Sequence, residues 1–317
     1  MPSSGISTPR VVSVLALLAA LTGVSACGGA GGRPHAPTQT GGVRTWTIAY
    51  RAHDGRTRAA YVVTPAWYGP RRHPHLPLVV SPHGRGVDGR ANARLWDELP
   101  ARGRFVVVSP DGEGDHLPLY SWGAPGQVDD LRAMPRYARA ALPWLRAGRI
   151  YAVGGSMGGQ EVLLLVARAP RLLAGAVAFD APTDFAEQYA RFPQLPCNVA
   201  CLRRWKDPIG VGLQKLAREE TGGTPDEVPT AYAARSPLSF SAEIARSGVP
   251  LQLWWSRRDV VVPAAEQDRF VAALASAGAG RGVTVLRGRW RHVSGMRLNL
   301  PGALRRLGLL GRSTASG

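Results

Sequence analysis

Residues 150–159 constrain this chain more than any other stretch. Ile150, Tyr151, Ala152 and Val153 form an apolar run that reads as a buried strand, and Gln160 to Arg168 reads as a helix. Between them, Gly154-Gly155-Ser156-Met157-Gly158 fits Gly-x-Ser-x-Gly. That pattern is a strand-to-helix turn sharp enough to strain the serine and push its hydroxyl into a cleft. Side chains at 154 and 158 would run into the adjoining strand and helix. With 38 Gly in the chain, the pattern alone carries little weight, and its setting between strand and helix supplies the rest. Ser156 is therefore a candidate nucleophile.

A neutral serine hydroxyl needs a base to take its proton. On such an elbow the partners follow in the order Ser, acid, His. The chain has seven His, of which only His292 lies after Ser156. It follows the apolar run Val283 to Leu286, in the loop where a base belongs. The acid should end a late strand within reach of the base. Asp259, in the loop after Leu251 to Trp255, is the first candidate, and Asp180, which ends Ala176 to Phe179, competes with it. Two backbone N–H groups should face the developing oxyanion. Met157 N–H, directly after the serine, is one. The other is expected from Pro82-His83-Gly84-Arg85-Gly86, from Arg85 or alternatively Gly84. His83 is read as a loop-bracing residue.

Short apolar runs at Leu78 to Val80 and Phe105 to Val108 suit buried parallel strands. Thr45 to Thr64 reads as two strands around a turn at His53-Asp54-Gly55-Arg56, Asn92 to Leu99 as a helix, and Val128 to Ala147 as helical but interrupted at Pro135 and Pro143. Strands alternating with helices predict an α/β architecture, a doubly wound and mostly parallel sheet, with active groups at the carboxyl ends of the strands. Residues 183–248 break the alternation and predict a small cap. Its Phe185, Tyr189, Phe192 and Trp205 either line a pocket or form the cap's own core. Asp115, His116, Tyr120 and Trp122 are expected to border the cleft.

Taken together, these residues resemble the α/β-hydrolase superfamily. Gly154-Gly155-Ser156-Met157-Gly158-Gly159, the stretch Tyr232 to Leu238, Val249-Pro250, Asp259 and Val262-Pro263 resemble the prolyl-oligopeptidase family catalytic domain. Pro82-His83-Gly84, Ser109 to Gly112, Trp122 and Val128-Asp129-Asp130 resemble secreted feruloyl esterases and polyhydroxybutyrate depolymerases. Where many such proteins carry His-Gly before the acid, this chain has Trp255-Ser256. The resemblance implies ester or peptide cleavage of a small molecule or polymer, with no metal and no organic cofactor. No propeller-like repeat precedes the region.

Arg10, the apolar run Val11 to Leu21, and Val24-Ser25-Ala26-Cys27 read as a signal peptide too short to span a membrane. Its end resembles a bacterial lipobox. That resemblance implies cleavage after residue 26, a lipid on the Cys27 thiol, and an extracytoplasmic protein held at the cell membrane. Residues 27–44, rich in Gly, Pro and Thr, read as a tether, and 45–317 as the folded domain. The formal charge of +17 comes almost entirely from dispersed Arg without a nucleic-acid motif, so nucleic acid is not expected as a partner. Cys197 and Cys201 are expected to pair as a disulfide outside the cytoplasm. A metal site is the alternative, with no His nearby to complete it.

Overall fold

A computed structural model describes residues 36–311, except 198, 200, 201 and 204–208. Cys27, Cys201 and Trp205 thus lie outside the described residues, as do the expected signal peptide and half of the tether. Among the described residues no helix is long and apolar enough to cross a membrane.

Nine strands among the described residues form one sheet in the order β1-β2-β3-β5-β4-β6-β7-β8-β9. They are β1 Thr38–Thr40, β2 Val43–Arg51, β3 Thr57–Pro65, β4 Leu76–Val80, β5 Val106–Pro110, β6 Ala147–Gly155, β7 Gly175–Phe179, β8 Leu251–Ser256 and β9 Val283–Gly288. The β1–β2, β2–β3 and β3–β5 pairs are antiparallel, and every pair from β5 across β4 to β9 is parallel. The parallel strands are apolar without alternation because both of their faces are covered. Leu78, Val80, Val106, Val108 and Ala152 face one core, whereas Val79, Val107, Tyr151 and Val153 face the other.

Among the described residues the helices with defined ends are α1 Gly89–Arg94, α2 Leu99–Gly103, α3 Pro125–Ala141, α4 Met157–Arg168, α5 Phe185–Arg191, α6 Ile209–Thr221, α7 Pro229–Ala233, α8 Ser241–Arg246, α9 Ala264–Ser276 and α10 Met296–Arg306. Valines and leucines of α3 and α4 fill the first core, and Ala93, Trp96, Met296 and Leu300 fill the second. The sheet is therefore doubly wound.

Three expectations need correction. The single helix over Asn92 to Leu99 is two short helices. Asp88 caps the first, accepting from Ala91 N–H at 2.6 Å. Asp97 then takes a positive φ of 43°, and Pro100 sits in the first turn of the second, where its missing N–H costs nothing. Second, α3 runs through Pro135 and stops at Ala141, before Pro143. Third, the sheet starts before residue 45. Thr38–Thr40 pairs with Val43 to Thr45, so the segment read as tether contributes an edge strand.

Residues after β7 form the cap. Phe185 stacks on Tyr232 at 4.9 Å, and Trp122 packs against Phe185 at 5.4 Å and Phe192 at 6.1 Å. Tyr189 meets Tyr232 edge-on at 5.7 Å. These aromatics form the cap's own core together with Leu195, Leu213 and Ala217. Trp122, expected at the rim of the cleft, is buried among them. The cap is bound to the sheet side by Glu220. Its carboxylate accepts from the N–H groups of Asp115, His116 and Leu117 at 2.6–2.9 Å and pairs with Arg235 at 3.0 Å. Cys197 is disulfide-bonded.

Glu161 on α4 is buried beneath the elbow and bonded to the Ser121 hydroxyl. Burial pushes its carboxyl from 4.5 up to about 8, against the lowering effect of Ser121. The folded chain therefore binds one more proton than the unfolded chain between those pH values. This stability is fully present below the unfolded pKa and is lost as pH rises toward about 8. Glu161→Gln is expected to flatten that fall, read from denaturation midpoints at about pH 5 and about pH 8.

Candidate active site

Ser156 sits between β6 and α4 with φ 54°, a left-handed conformation that costs a serine about 1–3 kcal/mol. The neighbouring glycines make the turn possible. A Cβ on Gly154 would lie 2.4 Å from Gly158 O, and one on Gly158 would lie 2.5 Å from Pro82 O. The elbow is thus wedged against both its own helix and the loop after β4. Ser156 N–H donates to Phe179 O at 2.8 Å, which fixes the turn to β7.

His292 lies in the loop between β9 and α10. Its Nε2 is 2.8 Å from Ser156 Oγ, and its Nδ1 is 2.7 Å from Asp259 Oδ2. Because the carboxylate accepts at Nδ1, the imidazole proton sits there, and Nε2 is free to accept from the serine hydroxyl. Asp259 Oδ1 accepts from Val261 N–H at 2.8 Å and Val262 N–H at 3.0 Å. Its side chain is 1 % exposed, against 16 % for His292. The acid is therefore locked in place, while the imidazole reaches toward the cleft.

Asp180 occupies a different place. From the end of β7, with φ 42°, it accepts from Ser256 N–H at 3.0 Å, Trp290 Nε1–H at 2.8 Å and Val293 N–H at 2.8 Å. It holds the loop that carries His292 and does not bond the imidazole. Burial raises its carboxyl pKa, and the Trp290 bond works against that rise. Possible metal-ligand atoms of Asp180, Asp259 and His292 lie within 4.8 Å of one another. The carboxylate oxygens are already filled by N–H donors, so the donor set does not suit a cation.

His83 is buried, and burial lowers its pKa, so it is neutral at neutral pH. Its Nε2 accepts from Gly112 N–H at 2.8 Å, which leaves Nδ1 to donate to Gly84 O at 2.8 Å. In a trans peptide the N–H lies opposite the C=O. Holding Gly84 O toward the imidazole therefore directs Arg85 N–H away from it. Met157 N–H, at the first position of α4, has no intrahelical acceptor. A cavity of about 190 Å³ opens beside the serine, lined by Gly84, Ser156, Leu95, Val293, Met296 and Leu300. It is mostly apolar and owes nothing to the cap aromatics. A second cavity of about 240 Å³, lined by Thr38, Thr45, Tyr61 and Arg90, lies apart from Ser156.

Sequence reasoning missed the buried carboxylates Asp180 (as a brace), Glu161, Glu220 and Glu266. The last accepts from Thr183 N–H at 2.6 Å and Asp184 N–H at 3.1 Å at the start of the cap. Their acceptor roles span tens of residues and leave no local pattern.

No protein-family description matches the chain, and no curated protein matches it. Solved structures do. An esterase of Pyrococcus furiosus is 17 % identical with a TM-score of 0.57, over 83 % of this chain and 88 % of that one. The acylaminoacyl peptidase of Pyrococcus horikoshii is 16 % identical with a TM-score of 0.60, over 84 % of this chain and 40 % of that one. A puromycin-hydrolyzing peptidase of Mycobacterium tuberculosis is 21 % identical with a TM-score of 0.61, over 83 % and 39 %. The chain thus spans about two fifths of the length of these peptidases and most of the esterase. These likenesses establish the fold, a doubly wound sheet of the α/β-hydrolase type shared with esterases and peptidases. Fold by itself does not assign chemistry.

Proposed function

We propose that this chain is a serine hydrolase acting through an acyl-enzyme. Ser156 Oγ attacks the acyl carbon as His292 Nε2 takes its proton, and Asp259 stabilises the imidazolium that forms. Met157 N–H and Arg85 N–H, with Gly84 as the alternative donor, hold the oxyanion. His292 then protonates the leaving group, and water releases the acyl group by the same steps in reverse. The observation that carries this reading is the unbroken chain Ser156 Oγ–His292 Nε2 at 2.8 Å and His292 Nδ1–Asp259 Oδ2 at 2.7 Å.

Esters are the favoured substrates. The mostly apolar cavity beside Ser156 suits an apolar group, and the chain covers 88 % of the esterase but 40 % of the acylaminoacyl peptidase. Peptide hydrolysis of the prolyl-oligopeptidase type is the second reading, supported by the peptidase neighbours. It differs in needing the imidazolium to protonate an amine.

A fluorophosphonate probe on the domain is expected to label wild type, and neither Ser156→Ala nor His292→Ala. Labelling that survives Ser156→Ala would mean another nucleophile. No labelling of wild type would favour a non-catalytic protein on this fold. Parallel rates on p-nitrophenyl esters and peptide anilides separate the two substrate readings. The proposal extends to location, with the enzyme tethered outside the cytoplasm through a lipid on Cys27. A palmitate analogue should then enter the full chain in bacterial cells, and Cys27→Ala should abolish that incorporation.

A further inference from the structure

We infer that the Arg85 side chain recognises a carboxylate on the substrate, on the cap side of Ser156, an inference that rests on the serine-hydrolase reading above. Arg85 follows Gly84, which lines the cavity together with Ser156. Its guanidinium turns toward the cap and lies 6.0 Å from the centroid of the Phe192 ring. Phe192 is buried in the same cluster as Met157, the residue next to the nucleophile. The cation thus lies between Gly84, which lines the cavity with Ser156, and the cap residue Phe192.

Arg85 as a whole is half-buried. Burial lowers its pKa, and among the described residues the only charge interaction opposing that shift comes from Tyr120 rather than from a carboxylate. Among the described residues the two buried arginines are paired with carboxylates, and the half-buried Arg168 donates to Ala234 O at 2.8 Å. Arg58 binds Asp54 through both terminal nitrogens, and Arg235 binds Asp115 and Glu220. Desolvating a cation without a partner is costly, and stacking on one aromatic ring recovers only about 1 kcal/mol. A planar fork with a single charge matches a single carboxylate through two parallel N–H···O bonds. The cavity beside Ser156 is walled mainly by Leu95, Met296 and Leu300, with the largely exposed Arg297 also on its lining. The substrate class is therefore an ester that carries an apolar group for this cavity and a carboxylate for Arg85.

The test uses two pairs of activated esters. The acyl-side pair is p-nitrophenyl hydrogen succinate and its methyl ester. The leaving-group pair is p-acetoxybenzoate and its methyl ester. Wild type is expected to favour the carboxylate member of one pair by about tenfold or more in kcat/KM. That preference should fall as salt rises, since a partly exposed ion pair is screened. Arg85→Met should remove it, and Arg85→Lys should keep part of it. No preference in either pair, or a preference that persists in Arg85→Met, overturns the inference. Failure of wild type on all four esters and on the fluorophosphonate probe would instead overturn the hydrolase reading on which it rests.

Discussion

Asp259→Asn is expected to lower kcat/KM on an activated ester by about 10⁴-fold while leaving the fold intact, as an amide in place of a triad acid does. The cause is the tautomer. Asp259 Oδ2 accepts from His292 Nδ1 at 2.7 Å. With Asp259 Oδ1 held by the N–H groups of Val261 and Val262, an asparagine would keep its oxygen there and turn its NH₂ toward His292. The imidazole would then accept at Nδ1 and carry its proton at Nε2, where it can no longer take one from Ser156. Steady-state rates beside a circular dichroism spectrum check this. A loss below tenfold, with the spectrum unchanged, would move the acid elsewhere, and Asp180 would be the next residue to test.

Asp180→Ala should act on stability before chemistry. Three N–H donors, from Ser256, Trp290 and Val293, would lose their acceptor in a buried place. An unpaired buried donor costs about 1–3 kcal/mol, so a loss of about 3 kcal/mol or more is expected, read as a lower denaturation midpoint. Since Val293 adjoins His292, turnover should also fall at temperatures where the chain stays folded. An unchanged midpoint would show that these donors find water or another acceptor, and that the His292 loop is held by other means.

The two aspartates mark where the sequence stops specifying the geometry of the candidate site. Ser156 was legible because a strained turn demands small neighbours at fixed spacing, and His292 because it was the only His that follows the serine. Asp259 and Asp180 both end strands, and position along the chain could not say which one faces the imidazole. Only the packing of β7, β8 and the loop after β9 decides that. The parallel strands were legible from their unbroken apolar runs. The paired helices at 89–103 were not, because Trp96, expected inside one helix, is buried against the second core and bonds Ser81 Oγ at 3.0 Å. The cap aromatics were undecidable, since an aromatic that lines a pocket and one that fills a core look alike in sequence.

The clamp at Glu220 also bears on the order in which the chain assembles. Its partner Asp115 is 105 positions away, so the contact closes a long loop and forms only after the central strands have brought both segments near. The cap is therefore expected to join late, after the turn at Ser156 has bonded to β7. Sequence changes confined to the cap should then alter how quickly the finished molecule comes apart far more than how quickly it forms. The segment that the sheet holds through Glu220 is thereby the part whose alteration should least disturb the path to the folded state.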